Sequence, residues 1–173
     1  MNIAQMPKLK SDGYHTPERV TIHAMAEYID LLPVDMPAYD FLAHMDLSAH
    51  YLITPSGLIL QCLDPKTIGR HAGKGLNTGN VGVEILVPGL HTYATFAETI
   101  ESGWCMPAPW NAAVELTRWL RGQFKMKDTP YSEQVDDQRP EWLVRHSDIC
   151  PGRKVDPGKG FDWQTFRKEV YDL

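Results

Sequence analysis

The most constraining feature of the sequence is the run V-G-V-E-I-L-V-P at residues 81–88, which is almost continuously apolar. Such a run is typical of a central strand that is buried on both faces of a sheet. Glu84 stands in the middle of this run, and a buried carboxylate is rare unless it is paired or belongs to a site. Burial would raise its pKa and prepare it to act as a general acid or base near neutral pH. Glu84 is therefore the strongest catalytic candidate in the sequence.

Other segments complete an α/β pattern around this strand. Strands are predicted at residues 20–24 and 141–146, a hairpin at residues 48–62 with Gly57 in its turn, and helices at residues 108–126 and after Asp162, which is a good N-cap. Residues 1–19 are predicted to form a polar arm, and residues 128–140 a surface loop. We expect an α/β fold, with a central mixed β-sheet flanked by helices, in a single domain over residues 1–173.

Composition limits the partners of this domain. Of its 173 residues, 43% are hydrophobic and 23% are charged, as in an ordinary soluble globular protein. The net charge is −5, from 17 Lys and Arg against 22 Asp and Glu, which argues against a nucleic-acid partner. No apolar run approaches the roughly 20 residues of a membrane span, and the N-terminus lacks the apolar core of a secretory signal. We expect a protein made in the cytoplasm, monomeric and without a membrane partner, whose three cysteines form no disulfide framework.

The loop R-H-S-D-I-C-P-G-R-K-V-D-P-G at residues 145–158 suggests a metal site. His146 and Asp156 are ten positions apart, so a loop that doubles back can bring both side chains to one point. Imidazole and carboxylate donors together suit zinc. Lys154 lies two residues before Asp156 and is a candidate for stabilising an oxyanion. A catalytic zinc site needs a third protein ligand. His23, predicted to lie at the end of its strand, is a candidate, although a lone histidine at a strand end is more often a satisfied polar residue or a surface group.

A glycine-rich segment at residues 64–80 carries Arg70, His71 and Lys74. It contains neither G-x-G-x-x-G nor G-K-[ST] after a strand, so a phosphate-binding loop is excluded. Two interpretations stay open. The segment either lines a groove for an anionic substrate or forms a solvated surface loop.

Five motifs resemble one enzyme family. They are V-T-I-H at residues 20–23, S-A-H-Y-L-I-T-P-S-G at 48–57, R-H-A-G at 70–73, N-V-G-V-E-I at 80–85, and H-S-D-I-C-P-G-R-K-V-D-P-G-x-x-F-D-W at 146–163. The pattern resembles the zinc-dependent N-acetylmuramoyl-L-alanine amidases of the type 2 family, which share the peptidoglycan-recognition-protein fold. The last motif is long and specific.

The resemblance implies a role for each residue of the site. His23, His146 and Asp156 would be the zinc ligands, Glu84 the catalytic base and Lys154 its partner at the oxyanion. Some related phage enzymes have a cysteine at the position of Asp156 and use a catalytic tyrosine at the position of Ala49. Because this chain lacks that tyrosine, the resemblance places the proton transfer on Glu84, as in the branch that recycles cell-wall fragments.

The remaining implied contacts are with the substrate. Arg70, His71 and Arg153 are expected to bind it, the arginines through carboxylates of the stem peptide. The alternative for the arginines is a solvated surface position. Cys150 is a rival zinc ligand by its chemistry, but the family commonly has a small residue at that position.

The expected reaction is hydrolysis of the amide between N-acetylmuramic acid and L-alanine, with peptidoglycan or muropeptides as partners. The expected role is lysis of the cell wall, as by a phage endolysin that acts after release from the cytoplasm. A cytosolic amidase that recycles anhydro-muropeptides is the alternative, and a non-catalytic peptidoglycan-binding module is a third. Another zinc hydrolase, such as a peptidase, would be expected to carry H-E-x-x-H or a related signature, and none is present.

Overall fold

The computed structural model describes residues 1–31, 34–127 and 141–171. Its strands are β1 (Ile3–Gln5), β2 (Arg19–Leu31), β3 (Val34–Pro37), β4 (Tyr51–Ile53), β5 (Ile59–Gln61), β6 (Asn80–His91) and β7 (Leu143–Arg145). Its helices are α1 (Ala38–His44), α2 (Tyr93–Ile100), α3 (Pro107–Phe124), α4 (His146–Ile149) and α5 (Trp163–Tyr171). Within these residues, all strands belong to one sheet.

The sheet is mixed, and its order is β1-β5-β4-β6-β2-β3, with β7 also paired to β2. Strand β6 runs parallel to both of its neighbours, whereas β2–β3 and β4–β5 are antiparallel. Residues 80–87 of β6 are all buried, as predicted for a central strand. The predicted α/β fold with a central mixed sheet flanked by helices is confirmed.

The two faces of the sheet have different coverings. Side chains alternate between the faces along β2 and β6, so that Ile22 and Val83 point into the main hydrophobic core. Helices α3 and α5 cover this face with Ala113, Val114, Leu116, Leu120, Phe166 and Val170. His23 and Glu84 have the opposite parity and lie on the other face. There a smaller apolar cluster, which includes Leu9, Ala38, Leu42, Leu52 and Leu86, leaves room for a cleft.

Several local predictions are confirmed. The hairpin forms from β4 and β5, and Gly57 adopts a φ of +82° in its turn, a conformation that a Cβ would oppose. Helix α3 occupies most of the predicted 108–126 range. Asp162 caps α5 by accepting a hydrogen bond from the backbone N–H of Thr165 at 3.1 Å. Within the described residues, none of the helices combines the length and apolarity needed to traverse a bilayer.

Two expectations need correction. The strand predicted at residues 20–24 continues to Leu31, so His23 lies inside β2 and not at its end. Pairing with the long strand β6 on one side and with β3 on the other holds the extra residues in the sheet. The arm over residues 1–19 also adds an edge strand, β1, parallel to β5. The surface loop predicted at residues 128–140 lies outside the described residues.

Candidate metal and catalytic site

Two neighbouring strands place His23 beside Glu84. These residues are direct partners in the parallel pairing of β2 with β6, so their side chains share one face of the sheet. Both are buried, with exposed fractions of 1% for His23 and 8% for Glu84. The Nδ1 atom of His23 lies 3.8 Å from Oε1 of Glu84.

A folded-back loop brings His146 and Asp156 to the same place. Strand β7 ends at Arg145 opposite Ile22, so the next residue, His146, comes level with His23. The chain then turns through α4 and returns, and the backbone N–H of Ser147 donates to the carbonyl oxygen of Asp156 at 3.0 Å. Both His146 and Asp156 are buried.

Three donor atoms converge where the strands and the loop meet. His23 Nδ1 and His146 Nδ1 are 2.9 Å apart, and they lie 3.3 Å and 3.0 Å from Oδ2 of Asp156. Ligands held 2.0–2.2 Å from a zinc ion in tetrahedral geometry are roughly 3.3–3.6 Å apart. The observed separations are close to this range. The group of His23, His146 and Asp156 could therefore hold a metal ion.

The electrostatics of Glu84 suit proton transfer. Burial raises its pKa to about 7, while the charges of His23 and Lys154 oppose the rise and that of Asp156 adds to it. A carboxyl group with a pKa near neutrality can both accept and return a proton at physiological pH.

The three converging residues form a coupled charge system. Burial alone would raise the pKa of Asp156, but hydrogen bonds to His146 and His23 outweigh it and hold this pKa far below its usual range. Burial alone would lower the pKa of His23, yet the carboxylates of Glu84 and Asp156 raise it. For His146, burial prevails and lowers the pKa. Asp156 is thus an anion whose field favours a cation between the imidazoles.

The group opens into a cleft of about 520 Å³. Residues 23–26 of β2 form part of its wall, together with Glu84, His146 and Asp156. Lys154 lies on the rim with an exposed side chain, and it is close enough for its charge to act on Glu84. Tyr93 is the most exposed apolar side chain of the rim, at 83%. The cleft thus joins a buried polar floor to an open, partly apolar mouth.

The three predicted substrate contacts all line this cleft, and each already contacts protein atoms. Arg70 donates to the carboxylates of Asp12 and Asp46. Arg153 donates to the carbonyl oxygen of Ala72 at 2.8 Å and contacts the sulfur of Cys150 at 2.8 Å.

His71 is the third of these contacts, and it lies against His23, with its Nδ1 atom 3.0 Å from Nε2 of that residue. The substrate roles of Arg70, His71 and Arg153 stay predictions.

One histidine of the same region, His71, has a role that the sequence patterns did not indicate. The hydrogen bond between His71 and His23 was not expected, although Gly82, a glycine inside a buried strand, is the kind of residue that marks a close approach. A Cβ at Gly82 would lie 2.5 Å from Cγ of His71. His50 is a second buried histidine of this region, and its contacts are structural. It accepts a hydrogen bond from the backbone N–H of Gly82 and contacts the carbonyl oxygen of Thr67.

The fold and the site together define an α/β protein with a group of donor atoms on one face of a mixed sheet that could hold a metal ion. The sequence profile of the N-acetylmuramoyl-L-alanine amidase family matches residues 13–159. The match covers most of the chain, which therefore belongs to this family.

Two relatives illustrate the similarity in sequence. The chain is 29% identical over 136 residues to the 1,6-anhydro-N-acetylmuramyl-L-alanine amidase AmpD of Enterobacter cloacae, covering 77% of this chain and 64% of the relative. It is 25% identical over 187 residues to the N-acetylmuramoyl-L-alanine amidase AmiD of Escherichia coli, covering 93% of this chain and 60% of AmiD. The chain thus spans less than two thirds of the length of either relative.

Solved structures share the fold. The N-acetylmuramoyl-L-alanine amidase LysC of Clostridium intestinale superposes with a TM-score of 0.67 at 17% identity, over 99% of this chain and 98% of LysC. AmiD of Escherichia coli, in complex with anhydro-N-acetylmuramic acid-L-Ala-D-γ-Glu-L-Lys, superposes with a TM-score of 0.61 at 22% identity, over 94% of this chain and 60% of AmiD.

Proposed function

We propose that this chain hydrolyses the amide bond between N-acetylmuramic acid and L-alanine in peptidoglycan or its fragments, with the aid of zinc. The observation that carries the proposal is the convergence of His23 Nδ1, His146 Nδ1 and Asp156 Oδ2 within 3.3 Å of one another, next to Glu84. Membership of the amidase family indicates which bond is cleaved.

His23, His146 and Asp156 are the proposed zinc ligands, through the atoms that converge. Two imidazoles and one carboxylate are a common ligand set of catalytic zinc, which leaves a fourth position open. When bound, zinc supplies a Lewis acid and lowers the pKa of water from 15.7 to about 7. His23, His146 and Asp156 line the cleft, so a substrate in the cleft would reach a metal ion held by them.

Glu84 is the proposed general base and acid. It takes a proton from the attacking water and returns it to the departing amine of L-alanine, a cycle that its pKa of about 7 permits near neutral pH. Lys154, on the rim beside it, is proposed to stabilise the negative oxygen of the tetrahedral intermediate. The site thus has the residues needed both for the proton transfers and for charge stabilisation.

Product analysis tests the reaction. The purified chain, loaded with one equivalent of zinc, is incubated with anhydro-N-acetylmuramyl-peptide, and the products are identified by mass spectrometry. We expect the free sugar and a peptide that begins with L-alanine, with loss of activity in a chelator and recovery after zinc is restored. The matched control is Glu84→Gln, which is expected to bind zinc without cleaving the substrate. Cleavage between two amino acids, or cleavage that persists without metal, would contradict the proposal.

The biological role follows from the size of the natural substrate. We propose lysis of the cell wall as the first candidate. Recycling of soluble fragments is the second, favoured by the similarity to AmpD, whose name specifies the 1,6-anhydro sugar. Intact sacculi and soluble anhydro-muropeptides, offered in parallel at equal bond concentration, separate the two. Release of peptides from sacculi supports lysis, whereas activity confined to the soluble fragments supports recycling.

The third candidate, a binding module without catalysis, is disfavoured by the complete set of converging side chains and by Glu84 beside them. Binding of muropeptide without turnover, in the presence of bound zinc, is the result that would support it.

A further inference from the structure

His71 is placed behind His23, on the side away from the converging donors. Its Nδ1 atom lies 3.0 Å from Nε2 of His23, while Nδ1 of His23 faces His146 and Asp156. The rings of His23 and His71 meet edge to face, with their planes at 90° and their centroids 5.1 Å apart. The two nitrogens of His23 thus have different partners, one proposed to be a metal ion and the other an imidazole.

The backbone fixes the direction of this hydrogen bond. The other nitrogen of His71, Nε2, lies 3.4 Å from the carbonyl oxygen of Asn80. A carbonyl oxygen only accepts, so the proton of His71 belongs on Nε2, and its Nδ1 carries a lone pair. His23 must then donate from Nε2 to His71. When His23 is neutral, its lone pair consequently lies on Nδ1, the atom that faces the donor group.

The residues around His71 hold it in this orientation. Asn80 is buried, its side-chain oxygen accepts from the hydroxyl of Thr21 at 3.2 Å, and its side-chain nitrogen donates to the carbonyl oxygen of Leu76. Gly82 leaves the space that the His71 ring fills, since any Cβ there would clash with the ring at 2.5 Å. The ring is therefore confined between β6 and His23.

We propose that His71 is a positioning residue, which accepts the Nε2 proton of His23 and thereby keeps Nδ1 of His23 free to bind the metal. The inference rests on the proposed function, because it assumes that His23 is a metal ligand. It assigns His71 a role in the metal site and not in substrate contact. His146 has no comparable support, since its buried Nε2 has no hydrogen-bond partner within the described part of the chain.

The expected effect follows from other metal sites. A ligating histidine usually donates its second N–H to a fixed acceptor, and loss of that acceptor typically weakens metal binding or activity by 10–100-fold. We expect His71→Phe, which fills the space without offering an acceptor, to raise the zinc Kd by about 10–100-fold. His71→Asn, whose amide oxygen can accept the same proton, is expected to recover most of that loss.

The test uses two readouts that do not depend on turnover. Long-range ¹H–¹⁵N NMR of the metal-free protein, recorded at a pH where His23 is neutral, reports which nitrogen of His23 carries the proton, and competition titration with a chelating dye gives the zinc Kd. His50→Asn is the matched control. His50 is another buried histidine next to Gly82, and its ring centroid lies 5.6 Å from that of His71, but among the described residues its hydrogen bonds are with Gly82 and Thr67 and not with His23. This control is expected to leave the zinc Kd within about twofold of wild type.

The outcomes are distinct. Protonation of His23 on Nε2 in wild type, a mixture of tautomers in His71→Phe, and weaker zinc binding that His71→Asn restores would support the proposal. Protonation of wild-type His23 on Nδ1 would overturn it, as would equal zinc affinity in all variants, or equal loss in His71→Phe and His71→Asn. If zinc binds as expected but muropeptides are not cleaved, the proposed reaction fails while the role of His71 stands.

Discussion

The site is assembled from two halves that are held in different ways. The strand half consists of His23 and Glu84, which sit opposite each other within the long strands β2 and β6. The loop half consists of His146, Lys154 and Asp156, which follow the short strand β7. The pairing of β2 with β6 spans residues 19–29 of β2, whereas β7 contributes a pairing of three residues.

The side chains of the two halves are therefore held in position by different kinds of interaction. Register fixes the strand half, because a shift by one residue would turn both side chains to the opposite face. Individual turn contacts fix the loop half. Trp104 donates from Nε1 to the carbonyl oxygen of Pro157 at 3.1 Å, and the backbone N–H of Gly160 donates to the carbonyl oxygen of Ile100 at 2.8 Å. The strand half should therefore tolerate changes in its surroundings better than the loop half.

Removal of one donor from either half should give the largest effect. We expect His23→Ala and Asp156→Ala each to lose bound zinc and to reduce amide hydrolysis at least about 10³-fold, since the Lewis acid contributes several kcal/mol. Zinc content by elemental analysis, together with turnover of muropeptide, measures this. Should either variant keep stoichiometric zinc and full turnover, that residue is not a ligand.

Substitution of the catalytic candidates should have a smaller effect and leave the metal in place. Glu84→Gln is expected to lower kcat by about 10²–10⁴-fold, as for loss of a general base. Lys154→Met should lower it by about 10²–10³-fold, as for loss of one oxyanion donor. Steady-state kinetics with parallel zinc analysis distinguishes these losses from loss of metal. Unchanged kcat in Glu84→Gln would exclude the assigned base.

Strain in the returning loop should affect the loop half alone. Gly158 has a φ of +80°, and a Cβ there would lie 2.1 Å from the carbonyl oxygen of Ile100. We expect Gly158→Ala to lower the free energy of unfolding by more than about 2 kcal/mol and to weaken zinc binding.

The matched control for this change is Gly152→Ala. Gly152 has a φ of +74° in the same loop, but a Cβ there would meet nothing within 4 Å. Gly152→Ala should therefore lower the free energy of unfolding by only about 1–2 kcal/mol, which is the cost of the backbone conformation alone. Urea unfolding measures both free energies. An equal decrease in the two variants would show that the clash of the added Cβ with the carbonyl oxygen of Ile100 does not contribute.

The smallest effect concerns the charged cluster of Lys10, Asp12, Asp46 and Arg70. A hydrogen bond from Arg70 lowers the pKa of Asp12, and a hydrogen bond from Lys10 lowers that of Asp46. A carboxyl group whose pKa is lower in the folded state stabilises the fold above its unfolded pKa, and this contribution disappears as the pH falls through the folded pKa.

The free energy of unfolding should therefore decrease as the pH is lowered past about 4. The decrease should be smaller in Arg70→Ala than in wild type. Urea unfolding at pH 6 and pH 3 measures the difference. Both carboxylates are exposed, so solvent screening keeps the effect small. Identical pH dependence of the two proteins would indicate that the cluster does not contribute to stability.

The buried strand that carries Glu84 was easier to predict from the sequence than the path of the loop half. The continuous apolar run V-G-V-E-I-L-V-P is local information, and it suffices to place Glu84 in a buried central strand. The length of β2 could not be predicted from its own residues, because pairing with β6 and β3 extends the strand to Leu31. The donor types and spacing in the loop at residues 145–158 already indicated His146 and Asp156 as metal donors, and the family resemblance gave the same pair. The fold-back itself depends on distant contacts such as that of Gly160 with Ile100.

His71 illustrates what sequence patterns leave out. It lies in a glycine-rich segment whose predicted roles were a substrate groove or a solvated loop. Its position next to His23 depends on the absence of a side chain at Gly82, eleven residues further along. A hydrogen bond between side chains of separate segments, such as that between His71 and His23, leaves no periodic pattern and no fixed spacing in the sequence. Only the folded chain reveals it.

The outer edge of β2 changes partner along its length. Strand β7 pairs with Val20–Ile22 and β3 with Tyr28–Leu31, and among residues 1–31, 34–127 and 141–171 no strand pairs on this side with the interval 23–27. Residues 23–26 of that interval line the cleft. The unpaired interval of β2 thus borders the cleft. We expect that extending β3 or β7 by a few residues would reshape this wall without altering His23, Glu84, His146 or Asp156.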